Sequence, residues 1–378
     1  MRERLAADFA RFARELPRDF PAHVREAYGI DLTARFLGRE LPHPIGKGSG
    51  QLSLNLEQLE SDRAAGLAFV VLKTVIGEDA AGMRSMEAWA VHETRMRVER
   101  RPARDGRPGW TVTWQGRGWD RSLDEYLALV RAARHLSDSR DGIVAIPSIK
   151  AHLPGIGEPF REAEYAHTVG ALAKAWGEGP LPVEKDFSPT LAGDPLADER
   201  ARVLRWLGEI AAIIRRNAPG GAQVQLKLMN ARFDDGFQRE MLAAAVAADG
   251  LTVFNRLYDR ERGVAYGGWE LSDRNLRVLA AARGAGLRLP GLSGTGNICS
   301  GKVAADYARV GCESVQLHTF FQLPLGEYPA THGSRTQRAL HRLIFDPAEG
   351  LVSVMLELEE AGVLHRVGGE LRFLDLCA

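Results

Sequence analysis

Leu292-Ser293-Gly294-Thr295-Gly296-Asn297-Ile298-Cys299-Ser300-Gly301-Lys302 joins an apolar stretch, Leu287 to Leu292, to an amphipathic one, Lys302 to Val310. About one helix later comes Ser314-Val315-Gln316-Leu317-His318-Thr319-Phe320-Phe321. A glycine-rich turn from strand to helix lets backbone N–H groups and the helix N-terminus converge on one anion, and Gly294 and Gly296 are the residues that permit it. The second stretch reads as a strand ending in His318 and Thr319. Two consecutive strand ends can then share one phosphate, the arrangement that follows strands seven and eight of a (β/α)8 barrel. By itself the segment reads more economically as a turn that lets strand and helix pack closely. The rest of the chain shifts the balance.

Two nucleotide motifs come close and fail. Gly296 to Lys302 nearly completes G-x-x-x-x-G-K, but Val303 stands where Ser or Thr must hold magnesium. The dinucleotide fingerprint fails because Cys299 takes the third glycine position and no acidic residue follows at the end of a next strand. Neither an ATPase nor an NAD fold is favoured.

The chain has 378 residues, enough for one large α/β domain or two average ones. Lys plus Arg and Asp plus Glu balance at 49 each, which argues against a general nucleic-acid or anionic-membrane binder and for a small-molecule partner. The three cysteines, Cys299, Cys312 and Cys377, lack metal-site spacing, so no metal is expected and a reduced, cytoplasmic setting fits. Met1 to Leu16 has neither a signal-peptide core nor a membrane-spanning run.

Eight short apolar runs recur: His43 to Gly48, Ala68 to Leu72, Ile143 to Pro147, Val183 to Phe187, Val224 to Leu228, Thr252 to Phe254, Leu289 to Ser293 and Val315 to His318. Helix-spaced segments lie between most of them, such as Leu56 to Ala65, Ala163 to Trp176, Glu199 to Arg216, Glu240 to Ala248 and Asp273 to Arg283. Alternation of this kind implies a parallel sheet with helices outside. Eight units in this length favour a closed α/β (β/α)8 TIM barrel, spanning residues 41–345, whose chemistry collects at the strand C-terminal ends.

One connection, residues 74–141, is far too long for a barrel loop. It carries a predicted hairpin, Glu93 to Arg101 and Gly109 to Gln115, turned at Asp105-Gly106, and four of the seven tryptophans, Trp89, Trp110, Trp114 and Trp119. It reads equally as a satellite core and as a substrate lid. Residues 1–40 form an N-terminal helical extension, in which Leu5, Phe9, Phe12 and Leu16 share a helix face that packs on the barrel. Residues 346–378 read as a helix followed by a hairpin around Gly368-Gly369, a structural appendage.

Ala68-Phe69-Val70-Val71-Leu72 ends abruptly in Lys73-Thr74, and Val224-Gln225-Leu226 ends in Lys227, with Gln225 and Lys227 on the face opposite Val224 and Leu226. A buried ammonium is costly unless paired. Each lysine reads singly as half of a structural ion pair. Two of them at barrel strand ends, beside a phosphate cradle, more economically suggest a site for an anionic, electron-accepting ring.

The ordered set Pro44-Ile45-Gly46-Lys47-Gly48-Ser49-Gly50, Phe69-Val70-Val71-Leu72-Lys73-Thr74, Val183-Glu184-Lys185-Asp186-Phe187-Ser188-Pro189-Thr190, Val224-Gln225-Leu226-Lys227, Asn255, Gly267-Gly268 and the opening glycine segment resembles the dihydroorotate dehydrogenases, FMN-dependent (β/α)8 barrels. The likeness runs over roughly residues 41–325 and includes a long excursion after strand two. It implies FMN as cofactor. Gly48, Ser49 and Gly50 would lie along the flavin, with Lys73, Thr74 and Lys227 at its pyrimidine edge, where positive charge favours the reduced anion. Gly267 and Gly268 match a pair near the ribityl phosphate, which Gly294, Gly296, Asn297, His318 and Thr319 would hold. Asn255 matches a substrate asparagine. Ser188 matches the catalytic base that removes a proton from substrate carbon, and an unaided serine needs help in that role. The resemblance also suggests a homodimer.

The departures are informative too. Lys185 and Thr190 stand where the resemblance implies substrate-binding asparagines, and Trp114-Gln115-Gly116-Arg117 replaces an asparagine loop before the predicted helix Leu123 to Ala133. Amides supply donor and acceptor together, as a pyrimidine edge requires, and lysine and threonine cannot. These changes argue against dihydroorotate. They point to another small, anionic molecule oxidised or reduced at a C–C bond next to a carbonyl. A dihydroorotate dehydrogenase with an altered pocket, and a non-catalytic flavin- or phosphate-binding barrel, are the competing readings.

Overall fold

The protein is described from a computed structural model that covers residues 1–90, 95–102, 108–115, 118–138, 142–187, 199–231, 235–259, 264–267 and 269–377. Eight parallel strands close into a barrel: β1 (Ile45–Lys47), β2 (Phe69–Ile76), β3 (Val144–Lys150), β4 (Leu181–Asp186), β5 (Ala222–Lys227), β6 (Gly250–Val253), β7 (Gly291–Thr295) and β8 (Cys312–Leu317). Each is hydrogen-bonded to the next in sequence, and β8 closes on β1 through Val315 opposite Ile45. All eight expected strands are therefore present, mostly displaced by one or two residues at their ends. The fold is a (β/α)8 TIM barrel.

The physical basis is the one the runs suggested. Strands such as Phe69–Ile76 and Leu181–Asp186 are buried at every position, as strands covered on both faces must be. Between them lie Leu56–Ala64, Glu162–Trp176, Arg200–Arg216 and Gly301–Arg309, each within one residue of its expected span, with Leu123–Asp138 five residues longer than expected at its end and Trp269–Gly284 starting four residues earlier than expected. The expected helix Glu240 to Ala248 is instead Asp235–Ala244. Its buried face is Phe237, Gln238, Met241 and Leu242, and the Ala245 N–H is shared between the Met241 and Leu242 carbonyls, which ends the helix in a turn.

The excursion after β2 builds a sheet of its own. Arg95–Pro102 pairs antiparallel with Pro108–Gln115, close to the expected hairpin, while the expected turn at Asp105-Gly106 lies outside the described residues. The hairpin does not stand alone, because Pro108–Gln115 also pairs with Val264–Gly267, which pairs with Leu257–Asp259. The excursion is thus joined to the connection that leaves β6.

The chain termini pack together. Phe9 stacks on His341 at 4.5 Å, Phe12 meets Phe345 edge-on, and Ile30–Asp31 pairs in parallel with Leu371–Arg372. The helix Arg335–Phe345 leads into the tail, which carries the helix Leu351–Glu360 before a Val367–Glu370 bridge that turns at Gly368-Gly369. Among the described residues no helix is long and apolar enough to cross a membrane.

Candidate active site

The strand C-terminal ends open into a cleft. Gly48 and Ser49 after β1, Lys227 at the end of β5, and Asn255 and Arg256 after β6 form part of its wall. Gly296 and Asn297 after β7, and Gln316, His318 and Thr319 at the end of β8, complete the parts that matter for chemistry.

The end of β2 is shaped by a proline on its neighbour. Val71 pairs with Ile146 and Thr74 with Ser148, so Leu72 and Lys73 together oppose Pro147 alone, and the Lys73 N–H turns to the Ser53 carbonyl instead of the ladder. Proline has no N–H to give, and the resulting bulge re-aims the side chains that follow. Thr74 then points inward, its hydroxyl 2.8 Å from Ser49, 3.0 Å from Ser148 and 3.2 Å from Asp186 Oδ2. Lys73 is buried. Burial, with Arg256 and Lys227 nearby, drops its ammonium to about 7 against the opposing pull of Asp186 and Asp120.

Two carboxylates rise from β4 on its inner face. Glu184 is fully buried in the barrel interior, near Ser148, Thr252 and Gln316, with Lys227 Nζ 3.6 Å from its Oε1. Burial pushes the Glu184 carboxyl upward while Lys227 pulls it down. Asp186, one turn of the alternation further, meets Thr74 and acts on both Lys73 and Arg256. Arg256 is itself nearly buried, and desolvation takes it down to about 9, so its guanidinium stays charged at neutral pH.

The glycine turn is held from behind. Gly296 and Asn297 both have left-handed backbones, φ +108° and +53°. A Cβ on Gly296 would come within 2.6 Å of Asn275 Nδ2 and 2.8 Å of the Phe254 carbonyl. The Asn275 amide donates to the Phe254 and Thr295 carbonyls, and Tyr307 donates to the Thr295 carbonyl, so the ends of β6 and β7 are tied to one another. Ser300 caps the helix Gly301–Arg309 through the Val303 N–H. Across the cleft the His318 ring lies so close to Gly50 that a Cβ there would fall 1.9 Å from its Nε2. Burial and the cations Lys73, Arg256, Lys227 and Lys47 keep that imidazole well below its ordinary range and therefore neutral.

No family model matches the chain, and no curated protein matches it either. Among solved structures it resembles DHODH from Eimeria tenella, determined in complex with ferulenol. The TM-score is 0.62 at 16% identity, over 95% of this chain and 92% of that one. At this identity the likeness establishes the shared barrel, and the roles of side chains rest on the geometry of this chain.

That geometry brings together most of the residues singled out from sequence. Gly48, Ser49, Lys227, Asn255, Gly296, Asn297, His318 and Thr319 line the cleft, Gly50 and Thr74 touch its walls, and the Lys73 ammonium lies in the field of Arg256 and Lys227. Gly294 sits one layer behind, against the Tyr307 ring. Gly267 is the last residue of the strand Val264–Gly267, paired with Val112. Ser188, Thr190 and Gly268 lie outside the described residues.

Lys185 is displaced from its expected place. Alternation along β4 sets it on the face opposite Glu184 and Asp186, with its ammonium 4.8 Å from the Phe187 ring centre and donating at 3.4 Å to the Asp186 carbonyl. It does not line the cleft. Asp186 occupies the inward position in its stead. Arg256, Asp186, Glu184, Gln316 and Asn275 were not singled out from sequence. The alternation of Glu184 and Asp186 around Lys185, and of Gln316 and His318 at the end of β8, was the signal that could have found the β4 pair and Gln316.

Proposed function

We propose that the protein is an FMN-dependent oxidoreductase acting on a small anionic molecule other than dihydroorotate, at a C–C bond next to a carbonyl. The observation that carries this reading is the gathering of three buried cations, Lys73, Lys227 and Arg256, the last two in the wall of a cleft that the Gly296-Asn297 turn also lines. The residues present fit the cofactor. Gln316 Oε1 is buried without a hydrogen-bond partner in the structure, which suits an N–H of a bound ring.

Flavin supplies an acceptor or donor of hydride at its N5. The chain's own residues do the rest. Lys73 and Lys227 stabilise negative charge on the pyrimidine edge, in a site dry enough for that charge to matter. Backbone N–H groups at Gly296 and Asn297, with the Thr319 hydroxyl, hold the phosphate at the start of the helix Gly301–Arg309. Neutral His318 covers the Gly50 backbone and adds no charge. Asn255 and Arg256 orient the substrate, the guanidinium meeting a carboxylate or a comparable anion. Ser188 is the group proposed to take the substrate proton.

The test is an absorption spectrum of the purified protein, followed by mass analysis of what denaturation releases. Flavin bands with FMN in the supernatant are expected, and dihydroorotate should not bleach them. A colourless protein that also fails to take up added FMN would overturn the redox reading.

A further inference from the structure

The cleft reading uses the cations at the rim and leaves one buried acid beneath them without a task. Glu184 has no exposed surface, and among the described residues the polar groups that face its carboxyl stand at long distances. Ser148 Oγ, Thr252 Oγ1 and Gln316 Nε2 each stand 3.4 Å away, and Lys227 Nζ stands 3.6 Å away. Hydrogen bonds to a committed carboxylate run near 2.7–2.9 Å. Contacts this long fit a carboxyl that holds a proton or releases it without rearranging its neighbours.

A route to it exists. From Glu184 the contacts continue to Ser148, then 3.0 Å to Thr74, then 2.8 Å to Ser49, and Ser49 lines the cleft. Each of the three is a hydroxyl, able to give one proton while accepting another, which proton hopping requires. The titratable groups around the acid are Lys227 from β5 and Asp186 from its own strand, with Tyr126 behind Ser148, and with Lys73 on β2 and His318 just after β8 further off. β3, β6 and β8 face it with the neutral Ser148, Thr252 and Gln316.

We propose that Glu184 is a proton-exchanging carboxyl of the cleft, taking up a proton when negative charge settles beside Lys227 and returning it through Ser148, Thr74 and Ser49 when that charge leaves. Lys227 is the coupling element, since it lines the cleft on one side and faces Glu184 on the other. An anion drawn to Lys227 adds repulsion and diverts the attraction that favours the ionised acid, and burial already opposes ionisation. Only protons move. An O–H bond forms at Glu184 as one breaks at Ser148, Ser148 is resupplied by Thr74, Thr74 by Ser49, and Ser49 by water. The proposal rests on the flavin reading only for the identity of the anion.

Infrared difference spectroscopy over a pH series reads the carboxyl directly. The protein is expected to show a protonated-carboxyl band that grows as pH falls and is lost in Glu184→Gln. In D2O the band should exchange more slowly in Thr74→Val, with Ser148→Ala as the second variant should the first fail to fold. In protein loaded with FMN, reduction by dithionite should move the band's midpoint to higher pH. Identical spectra for the wild type and Glu184→Gln at every pH, unchanged exchange in both folded hydroxyl variants, or a midpoint indifferent to reduction would each overturn the proposal. Visible absorption reports loading separately. If no FMN binds, the flavin reading falls, and the band and its exchange still decide the role of Glu184 in the colourless protein.

Discussion

Replacing Lys185 with methionine should make the protein more stable, and the gain should depend on pH in a way that follows from the structure. The Lys185 ammonium is fully buried, with an aromatic ring at 4.8 Å and a carbonyl at 3.4 Å as close partners, and Lys150 adds a second positive charge nearby. Burial first, then Lys150, lowers it from 10.5 to about 7, with Asp186 and Glu164 pulling the other way. At about 1.4 kcal/mol per pH unit that fall corresponds to an upper bound of about 5 kcal/mol, carried by the folded state wherever the lysine must be charged. The sign follows from proton counting. Between pH 7 and 10.5 the unfolded chain binds a proton that the folded chain lacks, so stability rises with pH across that window, and below pH 7 the whole penalty is present. Lys73, lowered to about 7 as well, adds a parallel slope that Lys185→Met leaves in place. Urea midpoints of the wild type and Lys185→Met, compared from about pH 6 to about pH 10, should show the variant more stable by a few kcal/mol at the acid end. The two curves should converge at the alkaline end, with ligand affinity unchanged throughout. A variant less stable at low pH, or a gap that stays constant with pH, would refute the reasoning. So would a loss of ligand binding, which would return Lys185 to the substrate pocket.

Three further outcomes are expected. Lys47 Nζ lies 2.5 Å from Asp62 Oδ1, both side chains being buried, and Thr336 donates to the same oxygen. Lys47→Met should cost about 3–5 kcal/mol by stranding the carboxylate, and Lys47→Met with Asp62→Leu should recover most of it, while a single-variant loss under about 1 kcal/mol would contradict this. Arg256 is the largest charged influence lowering Lys73, so the pH above which FMN affinity falls, near 7 in the wild type, should move upward in Arg256→Met; fluorescence quenching of FMN on binding measures it, and an unmoved midpoint counts against the cluster. Gly296→Ala should cost about 1–3 kcal/mol in denaturant midpoint, because φ is +108° and the new Cβ meets Asn275 and the Phe254 carbonyl; a neutral result would mean that the turn is not held from behind.

The barrel was legible because its strands are short apolar runs whose burial on both faces leaves no other reading, and because helix spacing separates them. What escaped was built from contacts distant in sequence. Leu257–Asp259 and Val264–Gly267 are three and four residues long; they pair with one another, and the second joins the edge offered by Pro108–Gln115, more than a hundred residues earlier. The helix at Asp235–Ala244 was misplaced because the apolar run Ala243 to Ala248 looks helical by composition. The burial of Phe237 and Met241 sets the real start.

The site divides along the same line. Glycines and strand-end lysines could be named from sequence because a turn or an abrupt charge after an apolar run is a local signal, and of these Gly48, Gly296 and Lys227 line the cleft. Lys185 illustrates the opposite case. Its place in the motif suggested a substrate contact, yet a strand offers only alternate residues to its inner face, and Ser148, Thr252 and Gln316 bond to Glu184 from that side. Once Glu184 faces inward, Asp186 must as well, and Lys185 cannot. The bulge opposite Pro147 then decides how β2 meets them, because it brings Thr74 to Asp186 while leaving Lys73 in reach of the same carboxylate. An inward aspartate, next in sequence to the position where the family resemblance implied an amide, changes the charge behind the cleft. An amide offers donor and acceptor alike, whereas Asp186 accepts hydrogen bonds and balances the charge of Lys73 and Arg256. Its Oδ2 is already met by Thr74, so Asp186 holds the wall behind the cleft in place while offsetting the positive charge that Lys73 and Arg256 bring to it.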